Sequence, residues 1–116
     1  MHFKLIIALV DDARTQKVME AARESGATGS TLVGDARGEG LKPKKTFFGL
    51  TMEASRDMLL FLVEEHLSRK ILERIAEEAG FEKHPGSGVA FLIDVEDTVG
   101  LSSQIVCLMD EVEEQV

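Results

Sequence analysis

Twice in this chain an apolar stretch of strand length runs into an acidic pair, then a segment of helical periodicity, then a glycine. The first pass takes in Phe3 to Val10, Asp11 and Asp12, a helical pattern to Ser25, and Gly26. The second takes in Met58 to Val63, Glu64 and Glu65, a helical pattern through Ala79, and Gly80. Apolar runs this short, broken in the first only by Lys4, are the mark of strands buried on both faces or nearly so. Thr15, Val18, Met19 and Ala22 share one helical face, and Leu67, Ile71, Leu72, Ile75 and Ala79 share another. The acidic pairs fall where an N-cap or the helix dipole favours negative charge. Each glycine falls where a helix stops.

A further strand follows each helix. Thr28 to Ala36 is rich in Thr, Leu and Val, and Val89 to Val95 is its counterpart in the second half. Arg37 to Lys45 reads as a loop, Thr46 to Met52 as a strand extension on its far side, and Phe81 to Gly88 as a turn-rich connection. After Gly100 the pattern fits a short strand, Gln104 to Met109, or a helical tail. The order β-α-β-loop-β-α-β predicts an α+β fold over residues 1–116 as a single domain. Its form is a ferredoxin-like double β-α-β sandwich, with a four-stranded antiparallel sheet and both helices on one face. Strands apolar on both sides then leave the second sheet face to be covered by self-association.

Composition narrows the function classes. The hydrophobic fraction of 44% supports an ordinary core, and six Phe without Trp or Tyr make that core largely aliphatic. No apolar run reaches the length of a membrane-spanning helix. The N-terminal stretch reads as a first strand and not as a signal peptide, and the lone Cys107 fits a reducing, cytoplasmic setting. A net charge of −8 argues against nucleic acid as a partner. The exception is Arg37, Lys42, Lys44 and Lys45, clustered in one segment and followed by Phe47 and Phe48. That cluster fits a partner-binding loop or a solvated surface loop.

Three glycine elements are candidates for binding: Gly29 with Thr31, Gly38 with Gly40, and Gly86-Ser87-Gly88. Glycine lets a backbone approach a ligand, and successive N–H groups can cradle an anion. None follows the strand, glycine loop, helix order of dinucleotide or P-loop sites, so each alone reads first as turn glycine. His84 before Pro85 suits either a phosphate contact or an exposed loop histidine. His2 and His66 are isolated in sequence, so no metal-ligand spacing appears, and the methionines read as core filler.

Taken together, the glycine elements carry a resemblance. Gly26-Ala27-Thr28-Gly29-Ser30-Thr31-Leu32 is similar to the G-I-T-G-M-T-V element of the nitrogen regulatory PII signalling proteins. Arg37-Gly38-Glu39-Gly40 is similar to their K-G-F-G, and Gly86 to Val95 resembles G-D-G-K-I-F-V-F-D-V. The resemblance implies a homotrimer with a small-molecule effector, an adenine nucleotide, in inter-subunit clefts. Gly29, Thr31, Gly38, Gly40, Gly86, Ser87 and Gly88 would lie around that nucleotide. It also implies a T-loop, here Arg37 to Phe48, that controls a target protein such as a membrane transporter.

The departures shape the expected ligand. Val89 stands where the family has a phosphate-contacting Lys, no Arg follows Arg74, and Leu60 replaces an adenine-contacting Glu. Without Tyr the usual T-loop modification has no target, and the Gln that serves metal and 2-oxoglutarate is missing near Leu41 and Lys42. ADP or AMP is therefore expected to compete at least evenly with ATP, with no cofactor required. No catalytic constellation appears: there is no Asn for an acylphosphatase and no positioned nucleophilic His, so a non-enzymatic regulator is expected. The competing classes are a CutA-like trimeric metal-binding protein and an ACT-like small-molecule sensor.

Overall fold

The computed structural model describes residues 1–36, 46–47, 50–51 and 56–100. The strand β1, Phe3–Asp11, is followed by a 3₁₀ turn, Asp12–Arg14, and by helix α1, Thr15–Glu24. Then come β2 (Thr31–Ala36), β3 (Thr46–Phe47), β4 (Leu50–Thr51), β5 (Arg56–Glu64), α2 (Glu65–Ala79) and β6 (Gly88–Asp94). The main sheet has four strands in the order β2-β5-β1-β6, every neighbouring pair antiparallel. This is the expected α+β ferredoxin-like sheet. The long central pair is in continuous register, from Phe3↔Glu64 to Asp11↔Arg56.

Because paired residues in an antiparallel sheet share a face, the register sorts the side chains directly. Ile6, Ala8 and Val10 of β1 and Leu59, Phe61 and Val63 of β5 are buried toward the helices. They meet Val18 and Ala22 of α1 and Leu67, Ile71, Ile75 and Ala79 of α2 in one core, with Ala90 and Leu92 packed at its edge. Both apolar helical stripes thus cover the same sheet face. Each large aliphatic side chain removed from water there contributes roughly 1.5–3 kcal/mol.

Element ends depart from the expected ones for local reasons. Asp11 does cap, accepting from the Ala13 N–H at 3.0 Å, but what it caps is the 3₁₀ turn, and α1 starts only at Thr15. β2 starts at Thr31, leaving Thr28 to Ser30 as coil. β5 starts two residues before Met58, since Arg56 and Asp57 still pair with Asp11 and Val10. Of the segment 46–52, the described Thr46–Phe47 and Leu50–Thr51 pair with each other in a separate two-stranded sheet and do not prolong a main strand. The expected strand or helix after Gly100 lies outside the described residues.

The second sheet face carries no helix among the described residues. Leu5, Ile7 and Leu9 of β1, Met58, Leu60 and Leu62 of β5 and Val89 of β6 point that way, only partly buried. Val33, Phe91 and Ile93, on the same face by register, are 40%, 36% and 43% exposed. An apolar surface running across four strands is the kind that marks an interface.

Candidate functional site

The five described glycine-element residues do not converge within one chain. Gly29 and Thr31 lie at the start of β2, and Gly86, Ser87 and Gly88 lead into β6. β2 and β6 are the two opposite edges of the sheet. Three strand spacings of roughly 4.8 Å separate them, about 14 Å in all. They are offset along the strands as well: Thr31 pairs opposite Leu60, which pairs with Ile7, whereas Gly88 pairs with Val10.

At the β2 edge, Gly29 borders a cleft of about 70 Å³ with Met19, Arg23, Ala27, Thr28, Ser30 and Phe61. Small-molecule sites are typically about 300 Å³ or more, so this cleft is a fragment of one at most. A side chain at Gly29 would meet nothing within 4 Å, so the fold does not demand glycine there. Two further recesses, of about 310 and 290 Å³, lie on the helical side; Glu73, Glu77, Glu82 and Lys83 line the first, and Glu20, Glu24 and Glu78 with Lys17 and Arg74 the second, so carboxylates outnumber cations in both and neither includes a glycine-element residue.

At the β6 edge the loop after α2 is closely tied. Gly80 ends α2 in the left-handed conformation, φ 68°, and its carbonyl accepts from the His84 N–H at 2.9 Å. The Ser87 N–H donates to the His84 carbonyl at 3.0 Å, and the Ser87 hydroxyl reaches the Gly80 carbonyl at 3.4 Å. In this conformation the amide and hydroxyl of Ser87 are committed to protein acceptors. The Arg14 and His84 side chains close over Gly80, where even a β-carbon would lie 3.2 and 3.0 Å from them. Gly86 has φ 82°, and its carbonyl accepts from Arg56 Nη2 at 2.8 Å. Gly88 is required by packing: a β-carbon there would overlap the Leu9 carbonyl oxygen and the Phe81 ring.

Arg37, Gly38, Gly40, Lys42, Lys44, Lys45 and Phe48 lie outside the described residues, as does Cys107; Phe47 is placed only as a residue of β3. Arg56 is not among the sequence candidates. Its partner, the Gly86 carbonyl, is 30 positions away and is a backbone group, so no side-chain pattern announces the pair. The buried Thr15, whose hydroxyl donates to Asp57 at 2.6 Å, has a partner equally remote in sequence and is equally unannounced.

Glu64, Glu65 and His66 gather at the start of α2 with potential ligand atoms within 4.8 Å of one another. The geometry is that of a helix cap. One Glu64 oxygen accepts from the His66 N–H at 2.7 Å and the other meets His66 Nδ1. That hydrogen bond and the Glu64 charge raise the His66 pKa above its ordinary 6.5, with Glu65 adding to the shift. The carboxylates thus outweigh the helix dipole, which disfavours a cation at this end. A raised folded-state pKa contributes stability that is complete below the unfolded value and fades as pH rises through the folded one. The Tm gap between wild type and His66→Ala is therefore expected to be widest near about pH 5.5 and to narrow toward about pH 9. A gap constant over that range would show that His66 acts without its charge.

The family model Nitrogen regulatory protein P-II matches residues 3–104. No curated protein matches the chain in sequence. Among solved structures, CPII from Thiomonas intermedia K12 bound to ADP and bicarbonate is similar at 26% identity and a TM-score of 0.62, over 82% of this chain and 87% of that one. The same protein bound to ADP, AMP and bicarbonate is similar at 25% identity and TM-score 0.58, over 82% and 93%. A PII-like signalling protein from Thermus thermophilus shares the fold at 22% identity and TM-score 0.61, over 82% and 88%.

Proposed function

The chain belongs to the nitrogen regulatory protein P-II family, and from that premise we propose that it is a trimeric signalling protein that reads adenine nucleotides between its subunits. The observation that carries the reading is the placement of the glycine elements on opposite sheet edges. In this reading Gly29 and Thr31 come from one chain and Gly86 to Gly88 from its neighbour, across the interface between them. The open apolar sheet face supplies the surface on which neighbours associate. The ADP and AMP held by the Thiomonas relative support the ligand class.

ADP and AMP are favoured over ATP, because Val89 and the lack of any Arg after Arg74 leave few side-chain cations for outer phosphates. The protein works by binding, in the cytoplasm and without catalysis. Residues 37–48, with Lys42, Lys44, Lys45, Phe47 and Phe48, form the arm that engages a target, such as a membrane transporter with an acidic cytoplasmic surface. No helix among the described residues is long and apolar enough to cross a membrane.

Calorimetric titration with ADP, AMP and ATP tests the ligand, and Gly29→Val tests the site. The space around Gly29 predicts an unchanged Tm and a loss of ADP affinity of about tenfold or more, as a branched side chain enters the nucleotide's volume. Absence of binding by any adenine nucleotide, or a strong magnesium-dependent preference for ATP, would overturn the reading.

A further inference from the structure

Arg56 is an unusual residue to find at the head of an apolar strand. Its side chain is only 7% exposed, and a buried guanidinium is costly unless its donors are used. Nη2 donates to the Gly86 carbonyl at 2.8 Å, and Nη1 lies 3.9 Å from Asp11 Oδ2. The bond to Gly86 is charge-assisted, hence stronger and more directional than one between neutral groups.

That bond falls on a glycine of positive φ. Gly86 has the backbone latitude to turn its carbonyl several ways, and the guanidinium selects one. The N–H of the same peptide unit, on Ser87, goes to the His84 carbonyl. The Gly86–Ser87 peptide plane is therefore held from both sides, and with it the approach to Gly88 and β6. The backbone of Arg56 is anchored as well: it pairs with Asp11 of β1 on one side and with Ala36, the last residue of β2, on the other. Residues 37–45 continue from Ala36.

We propose that Arg56 is a positioning residue that sets the Gly86–Ser87 turn for ligand and couples it to the end of β2. The ligand part of this inference rests on the nucleotide reading above; the positioning part does not. When ligand reorients the turn, the guanidinium moves with the Gly86 carbonyl and carries the change to the strand pair that ends at Ala36. One side chain thus gives the turn and the base of the following segment a shared reference.

The test uses Arg56→Met, which removes charge and donors at similar length, and Arg56→Lys, which keeps the charge on a single donor nitrogen without the guanidinium fork. Amide hydrogen exchange in the ligand-free full chain is read first. In Arg56→Met the amides of Ser87 and Gly88 are expected to exchange about tenfold faster while the core amides of Ile6, Phe61 and Ile71 keep their rates. Titration with ADP is read second: affinity is expected to fall about tenfold in Arg56→Met and to recover in part in Arg56→Lys. Unchanged exchange at Ser87 and Gly88, or equal acceleration of core and turn in both variants, would overturn the positioning role. A loosened turn with wild-type ADP affinity would overturn the ligand coupling. If wild type itself binds no ADP while the turn still loosens in Arg56→Met, the nucleotide reading fails and the positioning role stands.

Discussion

Gly88→Val is expected to destabilise the protein by about 3 kcal/mol or more, with a fall in Tm on the order of 10 °C. The position lies in the ladder between β6 and β1, opposite Val10. A side chain there runs into the Leu9 carbonyl oxygen and the Phe81 ring at once, and the first of these is backbone that cannot swing aside. Relief would require β6 to part from β1, exposing Ala90 and Leu92 at the edge of the core. Thermal unfolding followed by circular dichroism measures the effect. A Tm within about 2 °C of wild type would mean that the strand start shifts freely, and the packing argument would fail. On sequence grounds the same substitution looks like a probe of ligand approach. The structure makes it a probe of folding, so the binding test belongs at Gly29, where a β-carbon has open space.

If the chain is the trimer proposed above, Ile7→Asp is expected to yield monomers at low micromolar concentration without unfolding the chain. Ile7 sits in a transverse row with Leu60, Phe91 and Thr31 on the sheet face that bears no helix among the described residues. In an isolated subunit a carboxylate at this partly buried position can reach water. In a trimer closed on this face the same carboxylate appears three times in an apolar interface, and each unpaired buried charge costs several kcal/mol. Symmetry multiplies the penalty, which is why one substitution suffices. Light scattering coupled to chromatography reads the outcome against the 12.7 kDa of one chain. A monomeric wild type would remove the inter-subunit site. A variant that remains trimeric would place the contact elsewhere.

Much of the architecture is legible from residue order. Periodicity over a few residues is enough to separate the apolar runs of β1 and β5 from the helical stripes of α1 and α2, because burial repeats with the local backbone geometry. Gly80 announces the end of α2 because the left-handed cap is a local requirement. Thr46–Phe47 and Leu50–Thr51 mislead because two-residue strands carry no period to distinguish them from a longer strand's continuation. The family resemblance rests on short glycine motifs at matching places, and the match over residues 3–104 bears it out.

The sequence by itself therefore determined the order and type of the main elements, the helix faces and the family, all of which depend on neighbours within a few turns of chain. Tertiary structure alone decided how distant groups meet. It put Gly29 and Gly86 on opposite edges of one sheet, the placement on which the proposed inter-subunit site rests. It made Gly88 a packing necessity through Leu9, and it joined Arg56 to a carbonyl 30 residues away. Strand order is set by which apolar faces pack best together, a property of the assembled core that no window along the chain contains.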